Sequence, residues 1–204
     1  MSERRSFEVS EVEFEERAGR TLPIIRGHAA VFHHLSQDLG GFREQVVPGA
    51  FADSILADDV RALFNHDASM ILGRNKAGTL KLSESARGLA IEIDPPDTQY
   101  ARDLVTSMRR GDVSQMSFGF TVPPGGQDWA KDSSGATIRT LKKVRLFDVS
   151  PVTFPAYLGT DVAVRDALAA FDEFRTAEAR AAAQHSVART RMRLRLEVSR
   201  RRTA

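Results

Sequence analysis

A serine hydroxyl, an imidazole and a carboxylate can together cleave an amide bond, and this chain offers one of each in apolar, strand-like surroundings. Ser117 lies in Val113-Ser114-Gln115-Met116-Ser117-Phe118-Gly119-Phe120, a small hydroxyl between bulky apolar neighbours. His66 stands in Leu63-Phe64-Asn65-His66-Asp67, 51 residues upstream of Ser117, and Asp148 stands in Leu146-Phe147-Asp148-Val149-Ser150, 31 residues downstream. A serine is a weak nucleophile at neutral pH; it needs a base within hydrogen-bond reach and a third group that fixes the tautomer of that base. Ser117 as nucleophile, His66 as base and Asp148 as orienting acid would meet both needs. Each has a plainer reading. Ser117 would equally fill space in a β-core, His66 would bond to backbone at a strand end, and Asp67 or Asp148 would cap turns or hold arginines. Five histidines compete for the role of base.

Other chemistries are poorly supported. With no cysteine there is neither a thiol nucleophile nor a thiolate metal site. The serine lacks the G-x-S-x-G elbow of the α/β-hydrolases, and no H-E-x-x-H or comparable ligand spacing occurs. His28, His33 and His34 raise the question of a metal, but adjacent histidines on a strand point apart, and the three read as loop residues. No cofactor is expected. No apolar run approaches the roughly 18 residues of a membrane span, and Met1 to Arg20 is charged rather than signal-like, so the expectation is a soluble, unexported protein with no membrane partner.

The elements that would position these groups are mostly short strands. At 204 residues, 42% of them hydrophobic, the chain is long enough for one sizeable core with a tail. Phe7 to Phe14 reads as an edge strand with a bulge, Leu22 to Phe32 as a strand kinked at Gly27, and Phe42 to Val47 as a strand broken by Pro48-Gly49 before a short helix, Ala50 to Leu56. Val60 to Phe64 would deliver His66 at its end. Thr79 to Leu82 and Leu89 to Ile93 alternate with period two about a turn at Ser83 to Gly88, which predicts a hairpin. Thr98 to Arg110 predicts a helix: Thr98 can cap it, Tyr100, Leu104 and Met108 share a face, and Gly111 stops it. Val113 to Val122 would be the serine strand. A further hairpin is expected around Ser133-Ser134-Gly135, and a last strand from Val144 to Phe154.

Beyond Val164 there is no Gly or Pro, and Ala and Arg dominate, a helix-favouring composition. The formal net charge of +2 conceals an asymmetry: from Arg165 to Ala204 ten arginines face five acids, a surplus of +5, leaving 19 bases and 22 acids, or −3, before it. A solvated helix face is the simplest reading of that basic stretch, and nucleic acid is an unlikely partner because no aromatic residues interleave the arginines. The expected fold is α+β, mainly an antiparallel β-barrel with peripheral helices and a C-terminal helical extension. Its parts are a charged N-terminal segment at 1–20, a principal domain at 21–165 and a basic helical tail at 166–204.

Several segments, taken together and in order, resemble the phage prohead (capsid maturation) proteases. They are Phe42-Arg43-Glu44 with Pro48-Gly49-Ala50-Phe51, Val60 to Asp67, Leu72-Gly73-Arg74, Gly78-Thr79-Leu80, Gly88-Leu89, Asp97-Thr98, Arg109 to Val113, Ser117-Phe118-Gly119-Phe120 and Val149 to Ala156. The resemblance implies a serine endopeptidase with the fold of herpesvirus assemblins. It would act inside a procapsid, in the host bacterial cytoplasm, on the major capsid protein, on scaffold segments and on itself, as a homodimer. It places the catalytic histidine on His66 and the serine on Ser117. Assemblins use a second histidine as third member, but the only histidine after Ser117 is His185, in the tail. Asp148 is therefore the expected substitute, with Asp67 or a histidine next in line. The alternative is a non-enzymatic internal capsid or scaffold-like protein that binds coat subunits through its helical tail.

Overall fold

Runs of β-branched and aromatic residues, broken every five to eight positions by Gly, Pro or Asp-Ser turns, leave little room for long helices. The structure, a computed structural model, describes residues 3–8, 12–154, 167–184 and 189. Twelve strands and two α-helices are defined among them up to Val152. They are β1 (Glu3–Glu8), β2 (Glu13–Glu15), β3 (Ile24–Val31), β4 (Phe42–Val46), α1 (Ala52–Ala57), β5 (Arg61–Phe64), β6 (Asp67–Arg74), β7 (Leu80–Glu84), β8 (Gly88–Ile93), α2 (Gln99–Arg110), β9 (Gln115–Thr121), β10 (Gln127–Lys131), β11 (Thr137–Leu141) and β12 (Arg145–Val152). The fold is mixed α+β and rich in sheet. None of the described helices is long and apolar enough to cross a membrane.

The strands form three sheets, ordered β1-β9-β12-β5-β6, β2-β3-β8-β7 and β10-β11-β4. Most pairings are antiparallel; β12 with β5 and β11 with β4 are parallel. The hydrogen-bonded order closes none of the three into a barrel among the described residues. One core joins them, with Phe118, Phe120, Met116 and Val149 from the first sheet, Ile25, Leu89 and Ile93 from the second, and Val46 and Leu141 from the third. Such a core contributes roughly 1.5–3 kcal/mol for each large side chain removed from water.

Local chemistry explains several joints. Gly49, at φ +89, bends the chain after β4, and the N–H groups of Gly49 and Phe51 both donate to the Glu84 carboxylate, at 2.8 Å each. This seats Phe51 in the core, edge-on to Phe118. The helix α2 ends as its sequence requires, with Gly111 at φ +82 and its N–H bonded to Met108 O. Its start departs from expectation. Thr98 occupies the cap position, but its hydroxyl makes no cap bond and is buried without a partner. Tyr100 is partly buried and packs against the core while its hydroxyl donates to Ile71 O at 2.6 Å, and Ala101, Leu104, Val105 and Met108 are buried.

Two further differences have clear causes. The irregularity in β3 falls between His28 and Ala30, two residues beyond the kink expected at Gly27, because Gly27 keeps its place opposite Ile91 and Ala29 is the unpaired, buried residue. Within the charged N-terminal segment, the described residues supply β1 and β2 to two different sheets, where one edge strand with a bulge was expected over Phe7 to Phe14. β1 runs along all of β9 except Thr121, from Glu3 opposite Phe120 to Glu8 opposite Gln115. It also buries two charges. Arg5 bonds Glu3 and Glu44 at 2.7 Å each, and Arg139 bonds the same two carboxylates at 2.7 Å each. Arg5 stands over Phe120 and Arg139 over Trp129. Burial alone would pull the Arg139 pKa down, but Glu3 and Glu44 reverse this, and it stands above the ordinary arginine value.

Residues 167–184 are helical and belong to a separate unit. Within it Thr176 donates to Asp172 O at 2.8 Å, and Arg175 lies over the Phe171 ring. His185 and most of the expected basic tail lie outside the described residues.

Candidate active site

The serine strand β9 has two faces. Met116, Phe118 and Phe120 enter the core, so Gln115, Ser117 and Gly119 must occupy the opposite face. The neighbouring β12 lies antiparallel to it, with Gly119 opposite Asp148 and Ser117 opposite Ser150. Directly opposed residues share a face, which brings Ser117, Asp148 and Ser150 together.

That arrangement depends on a bulge. Leu146 pairs with Phe120, yet the next paired residue is Asp148, opposite Gly119, leaving Phe147 as the extra residue and 44% exposed. In a regular ladder Phe147 would face Gly119 and Asp148 would turn into the core. One inserted residue thus changes the phase of β12 and delivers the carboxylate to the serine's side.

His66 arrives from farther away. Asn65 and His66 form the two-residue turn between β5 and β6, at φ +52 and φ +58, the left-handed backbone of a type I′ hairpin. Asn and His are among the side chains that best tolerate it, though a non-glycine residue there still costs on the order of 1–2 kcal/mol. Three hydrogen bonds hold the turn against the end of β12. Asn65 N–H donates to Pro151 O at 2.9 Å, Asn65 Nδ2 to Thr153 Oγ1 at 3.1 Å, and Thr153 N–H to Asn65 Oδ1 at 2.8 Å. At about 1 kcal/mol each they are enough to offset the strain.

The result is a line of three side chains. His66 Nε2 is 2.7 Å from Ser117 Oγ, and His66 Nδ1 is 2.5 Å from Asp148 Oδ1. A carboxylate can only accept, so Nδ1 carries the hydrogen and Nε2 offers its lone pair to the serine hydroxyl. Ser117 is fully buried, and the His66 side chain is 7% exposed. Ser117 and His66 do not ride on neighbouring strands: β12, which carries Asp148, lies between β9 and β5, and the hairpin turn spans the gap.

The other candidates lie elsewhere. Asp67 Oδ1 accepts from the Ser69 N–H at 2.8 Å and the Ser69 hydroxyl at 2.6 Å, and the hydroxyl bond is the main cause of its lowered pKa. It is committed to its own turn. His28 Nε2 is 3.0 Å from Ser85 Oγ, while His33 and His34 sit exposed after β3.

With this geometry in place, comparison with known proteins is decisive at one point. The caudovirus prohead serine protease family matches residues 6–174. The chain belongs to that family. A prohead protease is a serine peptidase of capsid maturation, and its chemistry is that of amide cleavage. A search of curated proteins finds no match. Among solved structures, the bacteriophage T4 capsid assembly protease, gp21, aligns with a TM-score of 0.47 and 9% identity, over 74% of this chain and 96% of that one.

The sequence alone does not single out what holds these three side chains of the prohead protease together. Asn65 was visible only as part of a motif, although an Asn at the start of a two-residue link between strands is itself a turn signal. Gly119 has a specific reason to be glycine: a Cβ there would stand 2.4 Å from Asp148 Oδ2. Gly119→Ala should therefore displace the carboxylate and lower kcat on the order of 10²-fold, since a misplacement near 1 Å can have that effect. Steady-state kinetics with a melting curve would check this. Wild-type kcat in a folded Gly119→Ala enzyme would mean that the carboxylate has room to spare.

Proposed function

We propose that Ser117 is the nucleophile, His66 the general base and acid, and Asp148 the group that orients His66. The enzyme's substrates would be the major capsid protein and scaffold segments within the procapsid, and it would also cut itself. The observation that carries this reading is the continuous pair of hydrogen bonds from Ser117 through His66 to Asp148, at 2.7 and 2.5 Å. His66 Nε2 takes the Ser117 proton as Oγ bonds to the scissile carbonyl carbon. The imidazolium, stabilised by Asp148, then gives that proton to the leaving amine, and an acyl-enzyme remains. Water repeats the sequence: it loses a proton to His66, attacks the ester, and Ser117 recovers its hydrogen as the acid departs.

An assemblin-like barrel and a homodimer belong to the same proposal. The shared core of the three sheets supports a wrapped, partly open arrangement of that kind. The non-enzymatic scaffold alternative has less support, because a passive protein has no need of a strained, pinned histidine beside a buried serine.

The test of substrate class is to incubate the enzyme with its cognate coat protein, assembled and unassembled, and to measure product masses. Discrete cuts in the coat or scaffold segments are expected; an active peptidase that leaves both intact would overturn the assignment. Asp148→Asn tests the third role. It should keep the fold but lower kcat by up to about 10⁴-fold, because the amide no longer fixes the productive tautomer. Full activity in that variant would move the role to another group.

A further inference from the structure

We propose that Ser150 is a positioning residue for the protease reaction, a fourth side chain that fixes the carboxylate of Asp148 so that His66 is held in line with Ser117. The inference rests on the assignment of Ser117, His66 and Asp148 above. It gives a role to a residue that lies in one of the family-like segments, Val149 to Ala156, but to which the sequence assigned no function.

Three observations carry it. Ser150 is fully buried, two residues along β12 from Asp148 and directly opposite Ser117 on β9. Its Oγ donates to Asp148 Oδ1 at 2.7 Å. The same oxygen accepts from His66 Nδ1 at 2.5 Å. Two donors therefore converge on one carboxylate oxygen, while the other stands against Gly119, where even a methyl group would not fit.

The terminal torsion of an aspartate is broad, so a carboxylate with a single partner can rotate and offer either oxygen, in or out of the imidazole plane. Rotation would swing His66 as well, because Nδ1 follows its acceptor. With Ser150 on Oδ1 and Gly119 walling in Oδ2, one orientation remains. The imidazolium formed during attack then meets an acceptor that is already aimed, and no reorganisation is needed at that moment. Ser150 does not touch the reacting atoms; it acts through Asp148.

A buried serine could instead be no more than a satisfied hydroxyl whose loss loosens the core. The two roles separate in a double-mutant cycle, since groups acting as a unit are non-additive while an independent structural defect adds in any background. Ser150→Ala should lower kcat by about 10- to 100-fold, the usual scale for the residue that orients a functional ligand, and leave KM within about twofold. In an Asp148→Asn background, where the aimed carboxylate is gone, the same change should lower kcat by less than about twofold. Melting temperatures of all four proteins would be measured alongside. Ser150→Cys, similar in size and a weaker donor, should fall between wild type and Ser150→Ala, and it serves if the alanine variant does not fold. Wild-type kcat in the folded Ser150→Ala enzyme, or in Ser150→Cys where the alanine variant does not fold, would overturn the proposal. So would an equal loss in both backgrounds. Failure of the underlying assignment looks different: there Ser117→Ala or Asp148→Asn would itself cleave at the wild-type rate, whatever Ser150 does.

Discussion

Ser117→Ala should abolish proteolysis while leaving the fold as it is. The substitution removes one oxygen from a side chain that is fully buried, and its Oγ hydrogen bond to His66 is a contact the core does not need. Loss of a triad nucleophile typically lowers kcat by about 10⁶-fold, so the residual rate should be near the detection limit. KM should change little, because the hydroxyl contributes to the transition state rather than to holding the peptide. The experiment pairs cleavage of a coat-derived peptide with a fluorophosphonate probe: wild type should react at Ser117, and the alanine variant should neither cleave nor label. A Ser117→Ala protein that still cleaves would remove the assignment altogether.

Arg139→Met should be among the most destabilising single changes outside the core itself. Arg139 is 1% exposed and bridges Glu3 and Glu44, which are 3% exposed each; without it two buried carboxylates share one remaining cation, Arg5. Breaking a buried ion pair from one side costs about 3–5 kcal/mol, because the abandoned charge has no water to return to. With a urea dependence of about 2 kcal/mol per molar, the unfolding midpoint should fall by roughly 2 M. Replacing all four charged residues by apolar ones of matching volume should cost far less, since burying two ion pairs confers little net stability. The cluster faces away from Ser117: Arg5 lies opposite Phe118, on the core side of β9. Whatever fraction of Arg139→Met is folded should therefore cleave at a near-normal rate per folded molecule. A shift in midpoint below about 0.3 M would mean that water reaches the cluster and satisfies it.

The three candidate groups were legible from sequence as candidates, because His66 and Ser117 sit in segments with a family pattern and Asp148 directly precedes one, and because the hairpins and the end of α2 follow strict local rules. What stayed hidden was phase. Leu146 and Phe147 are adjacent apolar residues that break the alternation of Phe147-Asp148-Val149-Ser150, but sequence does not say which of them is skipped; the pairing of β12 with β9 makes Phe147 the extra residue. β6 was missed for a related reason. Its exposed first half, Asp67-Ala68-Ser69-Met70-Ile71, has no clean alternation, and its pairing with β5 slips twice. The place of β1 could not be read either. A charged stretch looks solvated until the counter-charges, 39 and 136 residues away, are brought to it by the fold.

The position of β1 decides what a cut in the chain just after it would do. The strand that bears Ser117 is flanked on one side by β12 and on the other by residues 3–8, joined to the rest of the protein through the link before β2. A single cut in that link would leave the flank in place at first, held by its ladder and by Arg5, but as a separate peptide. From then on its occupancy would obey mass action. In the crowded interior of a shell it would rebind as fast as it left, whereas on dilution it would be lost, taking one cation and one anion from a cluster built for four. Cleavage at that point would make the lifetime of the enzyme depend on the volume that confines it.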